Sequence, residues 1–165
     1  MTIHKSSLLR LKQNQYLRDL CDGTSFSEKQ LIQPLFVVES VEKTEPIPGL
    51  GDNSRLSLDA SLVQIEKDIE AGVRQFIIFF VPKKQTAKTF NTDYSTAAMQ
   101  EISKRFAGSA HFWVDACLCS SLDTGHCCVH KSNGQINLQA SLELLSKLAL
   151  ELGQAGAGGI APSDM

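Results

Sequence analysis

The chain has almost no net charge, no long apolar run and no leader-like start. A formal net charge of -2 supplies no basic field to draw in nucleic acid. None of its apolar stretches reaches the length needed to cross a bilayer. Residues 1–13 carry Lys5, Arg10 and Lys12 but no apolar block ahead of a small-residue cleavage site, so no secretory signal is read there. These absences leave small molecules and other subunits as the expected partners, not nucleic acid and not a membrane, and make the cytoplasm the expected location. With 42% hydrophobic and 21% charged residues over 165 positions, the composition is that of one folded globular domain and excludes a disordered chain.

Cysteine is also scarce, but it is not scattered. Four of the five cysteines fall between positions 117 and 128, in the stretch Asp115-Ala116-Cys117-Leu118-Cys119 and the pair Cys127-Cys128. Cysteines kept as small hydrophobes would be spread over the core segments. In a reducing compartment a cluster of thiols points to metal binding or chemistry and away from disulfides.

Along the chain, 31–38 is a short apolar run with Pro34 near its start and reads as a first strand. The segment 8–20 before it is polar with scattered leucines and reads as an arm. Over 57–72 the spacing of Leu62, Ile65 and Ile69 predicts an amphipathic helix, with Asp59 available as its cap and Gly72 just past its end. Residues 76–81 are apolar on both faces and stop at Pro82, as a parallel strand buried between layers does. Tyr94, Ala98 and Ile102 share one face of a second helix, and 112–119 returns to strand composition. Asn137 can cap a third helix whose stripe is Leu142, Leu145, Ala149 and Leu152, and the glycines of 153–159 lead from it into a strand end at 160–165.

Alternating strands and helices of this length predict an α/β fold with a parallel sheet, either doubly wound or a (β/α)8 barrel. A complete barrel takes about 250 residues, so the four strands and three helices counted here could supply only about half of one.

If 112–119 is a strand, Cys117 and Cys119 project from the same side, and the loop through 120–126 can swing Cys127 back to them. Three thiolates with a fourth position left for water or substrate suit a tetrahedral zinc ion in a catalytic style of site. The competing reading keeps Cys117 and Cys119 as inert, inward-facing strand residues. His126 is read either as a solvated loop histidine or as a second metal ligand or ligand-orienting group. Cys21 and Cys128 read as ordinary thiols. Asp115 shares the face of Cys117 and either orients a ligand or substrate amine or is a hydrogen-bonded strand-end carboxylate. Ser163 and Asp164 at the next strand end are substrate-site candidates, with an ordinary turn as the alternative. The glycine-rich run has no Lys-Ser or Lys-Thr after it and is not a phosphate loop. Lys83 and Lys84 read as a solvated loop.

The segment Asp115-Ala-Cys-Leu-Cys with Gly125-His126-Cys127 resembles the zinc-binding segment of the porphobilinogen synthase (5-aminolevulinate dehydratase) family. The run 31–38, Ile47-Pro-Gly with Arg55-Leu-Ser-Leu-Asp59, the Val81-Pro82-Lys83 turn and Ala161-Pro-Ser-Asp-Met165 resemble further family segments in the same order, so the likeness covers essentially the whole chain. It implies a (β/α)8 TIM-type barrel, with an N-terminal arm over 1–30 that wraps a neighbour, usually in a homo-octamer, and the N-terminal half of the barrel, about its first four βα units, over 31–165. It implies an enzyme of haem and tetrapyrrole biosynthesis that condenses two 5-aminolevulinate molecules to porphobilinogen with loss of water. Cys117, Cys119 and Cys127 match the family's catalytic zinc ligands, and magnesium is a second metal to consider. Cys128 falls where the family usually has glycine, Ser120-Ser-Leu-Asp-Thr124 replaces Pro-Tyr-Thr-x-His, and Phe80 stands where glycine is common.

The family's two Schiff-base lysines lie on later strands, and none of the chain's eleven lysines matches them. The resemblance thus implies no catalytic residue within 1–165 and a chain inactive by itself, which would pair with a separate C-terminal half or with copies of itself. The alternative is a zinc-binding or subunit-interaction module derived from that enzyme.

Overall fold

The computed structural model describes residues 12–23 and 27–163. The chain divides into two compact units, Met1–Gln30 and Leu31–Met165. In the first, Gln15–Cys21 forms a short helix, α1, whose Asn14 side chain accepts the Leu17 N–H at 2.9 Å; none of its residues is buried. Residues 1–11 and 24–26 of the expected arm lie outside the described residues.

The second unit is built on one six-stranded sheet in the order β2-β3-β1-β4-β5-β6. Its strands are β1 (Gln33–Val38), β2 (Thr44–Pro46), β3 (Ser54–Leu56), β4 (Gln75–Val81), β5 (His111–Ala116) and β6 (Gly159–Pro162). Strands β1, β4, β5 and β6 pair in parallel, each with the next in sequence, and the intervening segments are the helices α2 (Leu58–Glu70), α3 (Asp93–Phe106) and α4 (Leu138–Gln154). Four consecutive parallel strands joined through helices form a partial barrel wall. The connection from β1 to α2 adds what periodicity did not show: β3 runs parallel to β1, and β2 antiparallel to β3. Three-residue strands are too short to carry a readable alternation.

Each helix has a local reason to start where it does. Ser57, not Asp59, caps α2, its hydroxyl accepting the Ala60 N–H at 3.2 Å; Asp59 lies one step inside the first turn, where its charge favours the helix dipole. Asn137 caps α4 through Ala140 N–H, and Gly156, at φ +99°, follows the helix end. The inward stripe of α4 differs from the expected one: Leu148 and Leu152 are buried while Leu142 is exposed. With leucine at 138, 142, 144, 145, 148, 150 and 152, the helix is apolar over so much of its circumference that spacing alone cannot select the seam.

One side of the sheet forms the core. Leu35, Val37, Phe76, Ile78, Phe80, Phe112, Val114 and Ala116 are buried in a single cluster with Ile65 of α2, Met99 and Ile102 of α3, and Leu148 and Leu152 of α4. The alternate positions Phe36, Ile77, Phe79, Val81 and Trp113 lie on the other side and are only half-buried. The Phe36 and Phe79 rings stack there at 5.0 Å. The expectation that β4 is buried on both faces therefore holds for its helix side alone. On the half-covered side Trp113 occupies the space beside Gly159, where an added Cβ would come within 2.4 Å of the indole. Among the described helices none is long and apolar enough to cross a membrane.

Tyr94 at the start of α3 keeps a buried hydroxyl with no hydrogen-bond partner, and burial, with a smaller contribution from the Glu39 carboxylate, pushes its pKa up to about 12. A folded-state pKa above the unfolded value near 10 gives stability that is present below pH 10 and is lost as pH rises through 12. Tyr94→Phe should leave stability at pH 7 unchanged or raise it by up to about 1 kcal/mol, because an unsatisfied polar group is removed. It should also flatten the alkaline limb of a melting-temperature profile between pH 10 and 12. By contrast, Gly159→Ala should lower the urea midpoint, at a cost of about 1–3 kcal/mol for overpacking against Trp113.

Candidate metal centre

Parallel strands end on a common rim, and the rim at the C-terminal ends of β1, β4, β5 and β6 holds Cys117, Cys119 and Ser163. Strand β5 ends at Ala116, so Cys117 and Cys119 lie in the turn after the strand and not, as the composition suggested, within it. Strand alternation therefore does not bring them together. The turn does: Ser121 N–H and Leu122 N–H both bond the Leu118 carbonyl, at 3.0 and 2.8 Å, folding the backbone over and setting the two sulfurs 3.1 Å apart.

The turn is fastened to its neighbours. Gln85 N–H donates to Ser121 O and Asp123 N–H to Gln85 O, both at 2.8 Å, so the loop after β4 pairs with the loop after β5. Leu122 is buried beneath them. Lys84 Nζ donates to the Cys119 carbonyl at 2.7 Å, and Lys83 N–H to Glu39 Oε2 at 2.7 Å. The two lysines read as solvated loop thus brace the rim through their main chain and ammonium groups. The available signal was their place directly after the β4 strand end.

Gly125, at φ +67°, reverses the chain after Leu122, and this reversal returns Cys127 to the other two thiols. The donor atoms of Cys117, Cys119 and Cys127 all lie within 4.8 Å of one another, and among the described residues they form the one set of three such donors so placed. Cys117 is buried and the other two are half-buried. Burial alone would raise the Cys117 pKa, but the Cys119 main chain, the Ser163 side chain and the Cys119 and Cys127 thiols outweigh it, so Cys117 is held below the ordinary thiol value. Cys119 moves the other way, to about 12, through burial, its hydrogen bond to Cys117 and the charges of its two neighbours. None of the five cysteines is in a disulfide. Three converging sulfurs with one already biased towards thiolate can hold a soft or borderline metal ion.

Of the other sequence candidates, Asp115 stands half-buried on the open side of β5, and burial raises its pKa. Ser163 comes to the centre through its side-chain bond to Cys117 and its N–H to Ala116 O at 3.2 Å. Asp164 lies outside the described residues. His126 is exposed and is not among the three clustered donors; its ring meets that of His130 edge-on at 4.8 Å. A groove of about 660 Å³ between β1, β3 and α2 shares no residue with the centre.

These features define a partial parallel α/β barrel bearing a three-cysteine centre at the C-terminal rim, where barrels of this class carry their active sites. The family model "Delta-aminolevulinic acid dehydratase" matches residues 5–165, and the chain belongs to that family. Among the curated relatives, the delta-aminolevulinic acid dehydratase of Methanothermus sociabilis is 33% identical over 158 residues, covering 94% of this chain and 49% of the relative. That of Bacillus subtilis (strain 168) is 31% identical over 160 residues, with 94% and 49% covered. The protein of the same name from Ruminiclostridium josui is 31% identical, with 94% and 77% covered. The crystal structure of delta-aminolevulinic acid dehydratase (porphobilinogen synthase) from Toxoplasma gondii ME49, in complex with the reaction product porphobilinogen, superposes with a TM-score of 0.85 at 26% identity, over 100% of this chain and 47% of that one. The chain thus spans about half the length of most of these relatives, and the expected class, the first part of a (β/α)8 barrel, is the fold observed.

Two glycines separate the reversal from the rest of the loop. Gly125→Ala places a Cβ in the left-handed region and should cost about 1–2 kcal/mol of stability, while displacing Cys127 and weakening metal binding. Gly134→Ala, at φ +82° in the following turn, should cost a similar amount and leave the metal affinity of the three-cysteine centre unchanged. Paired urea titrations and competition with a chromophoric chelator would read both effects.

Proposed function

We propose that this chain supplies the metal-bearing half of a porphobilinogen synthase site, in which two molecules of 5-aminolevulinate are condensed to porphobilinogen with loss of water. The observation that carries the reading is the convergence of Cys117, Cys119 and Cys127 at the barrel rim beside the half-buried Asp115. The donor set fits zinc: Zn–S bonds of about 2.3 Å in a tetrahedron set sulfurs about 3.8 Å apart, within the spread seen here. Such an ion would act as a Lewis acid on a substrate carbonyl. Magnesium, a hard cation that takes oxygen ligands, does not match three sulfurs and would need another site.

Around the centre, Ser163 hydrogen-bonds the Cys117 sulfur, Lys84 holds the Cys119 carbonyl, and Asp115 offers a carboxylate to a substrate amine. The lysines that would hold substrates as Schiff bases, and the groups that would bind substrate carboxylates, belong in this reading to the part of the family barrel that 1–165 does not span, on the same polypeptide or another. A reducing location such as the cytoplasm suits thiols that must stay unoxidised.

A second reading, a non-catalytic zinc-binding or subunit-interaction module, is favoured by the half-covered apolar side of the sheet at Phe36, Ile77, Phe79, Val81 and Trp113. That surface could receive the rest of a barrel or another subunit, and homo-octamer formation belongs to the same proposal.

Porphobilinogen formation should be undetectable with the 165-residue chain alone and appear when it is mixed with a polypeptide carrying the remaining half of a family barrel. Robust turnover by the chain alone would sink the shared-site reading, and silence in the mixture would favour the module. Cys119→Ser should lower zinc content by one equivalent per chain; unchanged zinc would remove Cys119 from the centre.

A further inference from the structure

The two adjacent thiols Cys127 and Cys128 face different surroundings. Cys127 turns towards Cys117 and Cys119, whereas the Cys128 Sγ lies 3.8 Å from Nε2 of His130. Bonds of about 2.3 Å to sulfur and 2.0–2.1 Å to nitrogen at a tetrahedral angle place such a pair of donors about 3.6 Å apart. The metal-free spacing of Cys128 and His130 is already close to that.

The backbone beneath this pair is held. Val129 N–H donates to Ser141 Oγ at 2.9 Å, Asn137 N–H donates to Val129 O at 2.7 Å, and His130 forms an antiparallel bridge with Ile136. The Cys128 and His130 side chains meet on one side of the chain while Val129, between them, packs against the core. Their conformation is fixed by contacts that neither side chain makes itself. Beside them, the His126 ring meets that of His130 at 4.8 Å between centroids and 61° between planes. His126 and His130 are exposed and Cys128 is half-buried, so an ion could reach all three from solvent.

We propose that Cys128 and His130, joined by His126 through rotation of its imidazole, form a second, solvent-facing site for a borderline-soft divalent ion such as zinc. One thiolate with two imidazoles is a donor set that zinc and cobalt accept readily, leaving a fourth position to water. Backbone held in advance lowers the ordering cost of assembling such a site. The assignment does not depend on the three-cysteine centre activating a substrate. It divides the thiols of the segment into two sets, with the peptide between Cys127 and Cys128 as the boundary.

Cobalt(II) serves as the probe, because thiolate-to-cobalt charge transfer and d–d absorption report ligand type and count. The wild-type chain should take up two equivalents, the second weaker than the first. Cys128→Ser should take up one, and His130→Asn should weaken the second equivalent by at least about tenfold. Cys119→Ser should retain the Cys128–His130 uptake while losing the multi-thiolate spectrum, which keeps the failure of one centre distinguishable from that of the other. Uptake of a single equivalent by the wild type, or of two by Cys128→Ser, would overturn the proposal. Circular dichroism of each variant checks that the fold is kept, as expected for changes on a solvent-facing loop.

Discussion

Parallel hydrogen bonding between β1, β4, β5 and β6 delivers every strand end to the same rim, and the rest of the molecule follows from that register. Asp115 pairs with Ala161, and Ala116 with Pro162, so the turn holding Cys117 lies beside Ser163. Val38 pairs with Val81, so Glu39 meets the main chain of Lys83. Were one of these strands to slip by a single residue, its core side chains would face the wrong way and its loop would leave the rim. The burial of Phe76, Ile78, Phe112 and Val114 therefore guards the position of the thiols as well as the stability of the sheet.

The same burial is one-sided. Helices α2, α3 and α4 cover the Phe76–Phe112 side, while Trp113, Phe79 and Phe36 remain partly open on the other, in a chain that spans about half the length of most of the relatives compared with it. Gly159 belongs to this half-covered side: it has no side chain because Trp113 fills the place where one would go. Asp115 is on that side too, and burial works against its charge. A strand position that would be cheaper to fill with an apolar group instead holds a carboxyl beside the metal candidates, a departure from simple burial of the kind that marks functional sites.

The loop after the thiols departs from the family pattern yet is well anchored. Ser121 and Leu122 are buried, and both are drawn into the bridge with Gln85. Its altered residues have found packing of their own and still return Cys127 to the centre. Farther on, Cys128 lies close to His130 on an anchored segment and is not one of the three clustered thiols.

The sequence by itself determined the four parallel strands and the three helices between them, in order, because a 3.6-residue stripe such as Leu62, Ile65 and Ile69 and a strand such as 76–81 are local signals, whereas the three-residue strands β2 and β3 left none. It also determined the identity of the clustered thiols, since their spacing is a property of the chain. It misplaced the end of β5, and with it the reason Cys117 and Cys119 meet, because apolar composition continues through Leu118 while the ladder stops at Ala116. It left the seam of α4 undetermined, where leucines surround the helix, and it gave no role to Lys83 and Lys84. Those matters were decided by tertiary structure. The turn closed on Leu118 is local, but the bridge from Gln85 and the carbonyl held by Lys84 join segments more than thirty residues apart in the chain, and their meeting is set by the register of parallel strands, which no local pattern encodes.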